Sequence, residues 1–197
     1  MILIGQYDSP FVRRVGIALR LYGMGFDHRP WSVFGQADQV AALNPLMRVP
    51  TLVLEDGLVL TDSHMMLDHL DRLVDAPLFP RTGMARTRAL RLATLGTGLA
   101  EKAVSLFYER RLHEVTAPDW EARCARQIGQ VLAALESECP AAWWFGALGH
   151  ADIAVACALR FVTEAHGMTL PPGLAAFSIR AEALPVFAEI CQPFQAP

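Results

Sequence analysis

Charged residues are scarce in this chain, and neither sign of charge dominates. Only 19% of the 197 residues are charged, and 20 acidic against 17 basic side chains leave a net charge of −3. The chain therefore lacks the positive field that holds a phosphate backbone, which argues against nucleic-acid binding. The hydrophobic share of 53% is high enough for a large core and excludes a disordered chain. The length suits one large domain or two small ones.

Cysteine is also rare, with four residues at positions 124, 139, 157 and 191. Their spacing contains no CxxC pair and no metal-ligand cluster, so we predict neither a metal site nor a disulfide scaffold. The N-terminus lacks the charge order and apolar stretch of a signal peptide. The longest uncharged stretch, 165–179, contains two prolines and is shorter than the roughly 20 residues of a membrane span. We therefore expect a reduced, soluble, cytoplasmic protein that neither binds a metal nor enters a membrane.

Strand signals are confined to the first 80 residues. Ile2–Ile4 favours a short first strand. A second strand is predicted over His28–Phe34, at a sheet edge because Pro30 cannot donate a hydrogen bond, and parallel to the first through a right-handed crossover. Thr51–Leu54 and Leu58–Leu60 form a hairpin, since an Asp-Gly turn joins them.

Two capping signals mark helices between these strands. Ser9 followed by Pro10 begins a helix, because serine is a good N-cap and proline is favoured at the first helical position. The apolar periodicity of this helix places Arg13 and Arg14 mostly away from its buried face. The Asp-Ser pair at 62–63 caps the next helix.

Beyond a proline-containing linker the pattern becomes helical throughout. We predict a first domain over 1–76, a linker over 77–83 and an all-α domain over 84–197. One buried helix begins near Ala151, and Asp152 forms half of a capping box by accepting from the Gly149 backbone N–H.

Four local motifs occur in the first 80 residues. In chain order they are Tyr7–Arg14, Asn44–Pro50, Glu55–Gly57 and Thr61–Ser63. Followed by a helical domain, these motifs resemble the cytosolic glutathione S-transferases, and most closely bacterial members with Ser-Pro-Phe at the first helix. The resemblance covers essentially the whole chain. It implies an α/β N-terminal thioredoxin-like domain plus an all-α C-terminal helical domain, a homodimer, and glutathione as co-substrate.

Ser9 is the predicted catalytic residue. On local pattern alone it is a helix N-cap. The resemblance implies in addition that its hydroxyl donates a hydrogen bond to the glutathione thiolate, and a hydroxyl can donate and accept at once. Tyr7 is the alternative, because other classes of the family use a tyrosine near the end of the first strand.

The resemblance also assigns the residues that bind glutathione, which are Ser9, Phe11, Arg48, Val49, Pro50, Asp62 and Ser63. The Val49–Pro50 bond is expected to be cis, which turns the Val49 backbone toward the tripeptide so that it pairs like an added strand. Arg48 is expected to meet the glycine carboxylate. Ser63, at a helix start, is expected to receive the γ-glutamyl carboxylate, and Asp62 to face the glutamyl ammonium.

The second substrate is expected to bind between the two domains, with Phe107 and Tyr108 as candidate lining residues. The leading interpretation is a glutathione transferase that activates the thiol for attack on a small hydrophobic electrophile. Two alternatives stay open. One is a glutathione-dependent thiol–disulfide reductase, although such enzymes usually carry cysteine at the position of Ser9. The other is a non-catalytic binding or regulatory protein of the same fold.

Overall fold

The structure is a computed structural model that describes residues 1–194. Its N-terminal part contains, in order, β1 Ile2–Ile4, α1 Pro10–Leu21, β2 Asp27–Arg29, α2 Ala37–Ala41, β3 Thr51–Val53, β4 Val59–Thr61 and α3 Ser63–Asp71. The remainder contains α4 Gly83–Leu112, α5 Pro118–Ser137, α6 His150–His166, α7 Pro172–Glu182 and α8 Pro185–Glu189. The last three residues of the predicted all-α domain, 195–197, lie outside the described residues.

The four strands form one sheet in the order β2-β1-β3-β4. Strand β1 pairs parallel with β2 and antiparallel with β3, and β3 forms the predicted hairpin with β4. This is the thioredoxin-like arrangement that the motifs implied, with a helical region following it. The expected fold class is therefore confirmed.

Strand β2 lies at the predicted edge but is shorter than predicted and begins one residue earlier. It covers Asp27–Arg29, whereas the sequence indicated His28–Phe34. The ladder ends before Pro30 because proline has no N–H to donate. Beyond it the chain turns back on itself, with the Ser32 N–H donating to the Gln36 side chain at 2.8 Å. The short helix α2 that follows was not predicted.

Helix α1 begins as predicted, but its two arginines contradict the predicted pattern. The Ser9 hydroxyl oxygen accepts from the Val12 N–H at 3.4 Å, so Ser9 is the N-cap. Arg13 and Arg14, predicted to lie off the buried face, are each only 1% exposed. The reason is that α1 packs against α3 on one side and against α6 on the other. A helix covered on both sides buries residues around its whole circumference.

Helix α6 is the centre of the helical region and packs along the 30-residue helix α4. Gly96 allows this approach, since a Cβ there would lie 2.8 Å from the Ala154 backbone. At the start of α6, the Asp152 carboxylate accepts from the Gly149 N–H at 3.0 Å, which confirms the predicted half capping box. No helix within residues 1–194 combines the length and apolar composition needed to cross a bilayer.

A buried network joins the N-terminal part to the helical region. The Asp71 carboxylate accepts from the Tyr22 hydroxyl, from the Leu78 N–H at 2.8 Å and from the Phe79 N–H at 3.1 Å. The His150 Nε2 lies 3.3 Å from the same carboxylate, and its ring is fully buried. Burial lowers the pKa of His150, so the ring is neutral at pH 7. The network thereby connects α1, α3, the linker and α6.

A second buried link involves Arg13. Its guanidinium donates to the Glu182 carboxylate through two bonds of 2.6 and 2.7 Å. It also donates to the Phe187 and Ile190 carbonyls, each at 2.8 Å. Arg13 therefore ties α1 to the last two helices, with its charge paired and three of its nitrogens hydrogen-bonded.

Candidate active site

Two cavities adjoin where loops of the N-terminal part face helix α4. We call them the aromatic cavity, of about 360 Å³, and the polar cavity, of about 260 Å³. The aromatic rings that line the first belong to Phe11, Trp31, Phe34, Phe107, Tyr108, Phe161 and Phe194. The polar side chains that line the second belong to Asn44, Arg48, Thr61, Asp62, Ser63, His64, Thr97 and Glu101. Phe11, Arg48 and Val49 line both cavities, so the two are neighbours.

The structure brings all the predicted site residues to these two cavities. Ser9 lines the aromatic cavity, Pro50, Asp62 and Ser63 line the polar cavity, and Phe11, Arg48 and Val49 line both. The predicted lining residues Phe107 and Tyr108 are also in place. The roles assigned to these residues stay predictions.

Ser9 lies at the start of α1, beside the aromatic cavity. Its hydroxyl oxygen accepts the Val12 N–H, which leaves its own proton free to be donated elsewhere. The positive end of the helix dipole lies at the same point. A partly buried hydroxyl donor at a helix start is suited to holding an anion such as a thiolate.

Tyr7, the alternative hydroxyl, has different surroundings. Its ring stacks on His28 with centroids 3.9 Å apart and planes 8° apart. Burial raises the pKa of Tyr7 to about 12, so its phenol keeps its proton. Tyr7 is not among the described residues that line either cavity. The geometry therefore favours Ser9 over Tyr7.

The loop before β3 is fixed by Asn44, the first residue of the Asn44–Pro50 motif, for which the sequence analysis predicted no role of its own. The fully buried Asn44 amide donates to the Arg48 carbonyl and to the Thr51 hydroxyl, both at 2.9 Å. Its carbonyl oxygen accepts from the Leu46 N–H at 3.0 Å. The Val49–Pro50 bond that follows is cis, as predicted. Asn44 thus sets the course of the backbone that carries Arg48 and Val49 to the cavities.

The start of helix α3 lines the polar cavity. Asp62 is the N-cap, and its carboxylate accepts from the His64 N–H at 2.7 Å. Ser63 follows it, and only 3% of its surface is exposed. The Ser63 hydroxyl oxygen accepts a hydrogen bond from Arg14 Nη1 at 3.3 Å. The first N–H groups of a helix have no carbonyl partner within it, so this end attracts negative charge.

Helix α4 supplies two residues of the polar cavity that the sequence analysis missed, Thr97 and Glu101. The Thr97 hydroxyl donates to the Ala93 carbonyl at 3.0 Å, whereas the Glu101 carboxylate is exposed. Their spacing of four residues places them on one side of α4, and this spacing is the signal in the sequence that relates them.

The aromatic cavity is lined by rings that come from distant parts of the chain and contact one another. Phe34, from the loop after β2, meets Tyr108 of α4 edge-on, with centroids 5.5 Å apart and planes at 82°. Phe194 meets Phe107 at 5.1 Å and Phe161 at 5.5 Å. Burial raises the pKa of Tyr108, so its hydroxyl is protonated at neutral pH. Sequence reasoning missed Trp31, Phe34, Phe161 and Phe194 because no local pattern relates them.

The two cavities together suit an extended polar ligand with an apolar group beside it. The polar cavity offers a helix start, an arginine and a length of exposed backbone, which are partners for carboxylates and for a peptide. The aromatic cavity offers ring faces and one serine hydroxyl at its edge. Within residues 1–194 no three His, Cys, Asp or Glu side chains are grouped to hold a metal ion.

Comparison with known proteins identifies relatives that are similar in sequence and in fold. The family model described as "Glutathione S-transferase, N-terminal domain" matches residues 3–78. A crystal structure of a glutathione transferase family member from Pseudomonas fluorescens Pf-5 with bound glutathione is 30% identical, with a TM-score of 0.83, over 98% of this chain and 99% of that chain.

Two further relatives agree with this match. A glutathione S-transferase from Methylobacterium radiotolerans, solved in complex with glutathione sulfonate, is 28% identical with a TM-score of 0.93, over 100% of this chain and 96% of that chain. The protein named "Uncharacterized GST-like protein YibF" from Escherichia coli K12 is 29% identical over 82% of each chain.

Proposed function

The chain belongs to the glutathione S-transferase family, and from that premise we propose that it is a serine-type glutathione transferase. Glutathione lies across the two cavities, with its γ-glutamyl carboxylate at Ser63, its cysteine backbone at Val49 and its glycine carboxylate toward Arg48. Its thiol lies at Ser9, which holds it as a thiolate. The thiolate then attacks a small hydrophobic electrophile bound in the aromatic cavity.

One observation carries this proposal. Ser9 and Ser63 line two different cavities, and the cavities adjoin at Phe11, Arg48 and Val49. A tripeptide held at Ser63 and Val49 would therefore present its side chain beside the apolar space that contains Ser9. Relatives of the same fold have been solved with glutathione or glutathione sulfonate bound.

The magnitudes indicate what Ser9 contributes. A free thiol has a pKa near ~8.5. A hydrogen bond to a charged group is worth about 1.5–3 kcal/mol and a helix start about 0.3–1 kcal/mol, which together lower a thiol pKa by about two units. The thiolate fraction at neutral pH then rises from about 3% to about three quarters. A thiolate of lower pKa is a weaker nucleophile, so most of the rate comes from holding the reactants together.

The cysteines argue against the reductase alternative. None of the four lines either cavity among the described residues. Cys124 and Cys157 are buried, and burial raises the pKa of Cys157 to about 11, which keeps that thiol protonated and unreactive. All four are free, the state expected in the reducing cytoplasm that we propose as the location.

Conjugation assays test the proposed function. Purified protein is mixed with glutathione and a panel of activated aryl halides and α,β-unsaturated carbonyl compounds, and thioether formation is followed by mass spectrometry. We expect conjugation above the uncatalysed rate for at least one class. Glutathione binding with no conjugation across the panel would instead support the non-catalytic alternative. Reduction of mixed disulfides of glutathione, with no conjugation, would support the reductase.

We also propose a two-fold symmetric homodimer. Large apolar side chains are exposed on neighbouring elements, including Met65 of α3 at 61%, and Met84 and Leu90 of α4 at 66% and 42%. Such side chains are typical of the centre of an interface between copies. Sedimentation at micromolar concentration tests this, and a single 21.6 kDa species would contradict it.

A further inference from the structure

Arg14 is a buried cation for which residues 1–194 supply no ion-pair partner. Its side chain is only 1% exposed, and its Nε and Nη2 atoms have no hydrogen-bond partner among residues 1–194. Its single described hydrogen bond runs from Nη1 to the Ser63 hydroxyl oxygen at 3.3 Å. Burial lowers the pKa of Arg14 to about 10, which leaves the guanidinium charged at neutral pH.

The neighbouring Arg13 shows that this chain can satisfy a buried arginine fully. The two residues are adjacent on α1 and equally buried, yet Arg13 has a carboxylate and two carbonyls around its guanidinium. Burying a guanidinium without a carboxylate costs several kcal/mol more than burying a paired one. The unpaired state of Arg14 therefore requires a compensating role.

The groups near Arg14 do not neutralise it. Asp62 is close enough to raise the Arg14 pKa, but its carboxylate accepts from the His64 N–H and forms no ion pair with Arg14 among the described contacts. Cys157 also lies near, but burial raises the pKa of its thiol to about 11, so it is uncharged. Among the described residues no anion therefore pairs with Arg14, which leaves a bound ligand as the source of that charge.

We propose that Arg14 is a positioning residue that prepares Ser63 to bind a carboxylate. Because the Ser63 oxygen accepts from the guanidinium, the Ser63 O–H proton points away from Arg14 and is donated toward the polar cavity. The guanidinium behind it supplies positive charge in a site of low dielectric, where charge acts strongly. This inference rests on the proposed function, and it makes the α-carboxylate of the γ-glutamyl residue the group that compensates Arg14.

The test compares two ligands, glutathione and the tripeptide analogue that lacks only the α-carboxylate of its γ-glutamyl residue. Calorimetry gives the affinity ratio between them for the wild-type protein, for Arg14→Met and for the matched control Arg13→Met. In Arg14→Met we expect glutathione binding to weaken by roughly 10- to 100-fold, from loss of charge-assisted binding. Binding of the analogue should change by less than about twofold, since it lacks the compensating carboxylate.

Thermal unfolding without ligand separates this role from a structural one. Arg14→Met should unfold at the wild-type temperature or above, because the variant removes an unpaired buried charge. Arg13→Met should unfold at a clearly lower temperature, because it removes the hydrogen bonds from the buried guanidinium to Glu182 and to the Phe187 and Ile190 carbonyls, while the affinity ratio of the two ligands stays at the wild-type value.

Several results would overturn the proposal. Equal loss of both ligands in Arg14→Met, or a lowered unfolding temperature with an unchanged affinity ratio, would make Arg14 purely structural. If Arg14→Met does not fold, Arg14→Gln and Arg14→Lys decide: the ratio must fall in the first and recover partly in the second. A wild-type protein that does not bind glutathione, or binds both ligands equally, would instead refute the proposed binding mode of glutathione.

Discussion

The two cavities differ in how the chain builds them. The polar cavity takes most of its residues from two short segments, 44–50 and 61–64, with a contribution from α4. The aromatic cavity takes its residues from the segments 6–11, 31–34, 47–49 and 104–108, and from positions 161 and 194. One cavity is thus assembled by local backbone geometry and the other by the tertiary fold.

This difference separates two kinds of recognition. The polar cavity offers backbone, a helix start and charged groups, which fix a ligand by direction and charge. The aromatic cavity offers ring faces, which select by shape and tolerate replacement more readily. Changes in the first should therefore alter whether glutathione binds and reacts, and changes in the second should alter which electrophile is accepted.

The largest effect is expected for the buried Asp71 network, which joins the N-terminal part to the helical region and so supports both cavities. Asp71→Ala removes the carboxylate that accepts from Tyr22, Leu78 and Phe79 and lies 3.3 Å from the neutral His150 ring. We expect the free energy of unfolding to fall by about 3–5 kcal/mol, because the Tyr22 hydroxyl and two backbone N–H groups lose their acceptor and a buried unsatisfied donor costs about 1–3 kcal/mol. Denaturant titration measures this.

Asp68→Ala, on the same helix, is the matched control for this variant. Asp68 pairs with Arg72 and Arg86 at the surface, so its loss should cost only about 0–1 kcal/mol. If the two variants lower the free energy of unfolding equally, the Asp71 network does not stabilise the junction between the N-terminal part and the helical region.

Ser9→Ala should have the next largest effect, at the border of the two cavities. It removes a hydrogen bond of about 1.5–3 kcal/mol to the thiolate, so the pKa of bound glutathione should rise by about one to two units. The ultraviolet thiolate band of the complex, titrated against pH, measures this shift. Tyr7→Phe is the control and should leave the titration unchanged. If Tyr7→Phe alone moves it, the catalytic hydroxyl is Tyr7; if neither does, a backbone N–H is the donor.

Ser63→Ala tests the polar cavity alone. Glutathione binding should weaken by about 1–3 kcal/mol, through loss of a hydrogen bond to a carboxylate. The KM for the electrophile at saturating glutathione should stay at the wild-type value, because Ser63 does not line the aromatic cavity. Calorimetry and steady-state kinetics provide the two numbers. An unchanged glutathione affinity would contradict the assignment of Ser63.

Phe34→Ala tests the aromatic cavity alone and should have the smallest effect. An edge-on aromatic pair is worth about 0.5–1.5 kcal/mol, so the KM for an aromatic electrophile should rise about two- to tenfold. The affinity for glutathione, measured by calorimetry, should not change. Tyr108→Phe keeps the ring pair and should leave this KM near its wild-type value. A Phe34→Ala variant that loses glutathione affinity instead would remove the distinction between the cavities.

The same contrast explains how much of the site could be predicted from sequence. The cis Val49–Pro50 bond, the Asp62 cap and the location of Ser63 follow from short motifs whose geometry is largely local. Phe34 and Phe194 carry no such signal, because their meeting with α4 depends on how the whole chain folds. Sequence pattern could name Phe107 and Tyr108 only as aromatic residues on a helix facing the N-terminal part.

The buried arginines of α1 show where apolar periodicity fails to predict burial, and the failure has a physical reason. Apolar spacing along α1 reveals the face that meets the sheet and α3, and the Ser9–Pro10 pair predicted the start of the helix correctly. It does not reveal the second face, which is covered by α6 and by the last helices of the chain. A charged residue such as Arg13 is predicted from sequence to be exposed. It is buried here because its partners, Glu182 and Ile190, lie far along the chain.

That separation has a consequence for the order of events during synthesis. Arg13 leaves the ribosome before Glu182, Phe187 and Ile190, which lie 169, 174 and 177 residues further along the chain. Domains generally fold as they emerge, yet helix α1 cannot bury the Arg13 charge with its partners until α7 and α8 have been made. The N-terminal part alone therefore lacks the groups that pair with Arg13 of its own helix α1. In the nascent chain the Arg13 guanidinium therefore stays hydrated or otherwise protected until α7 and α8 are made.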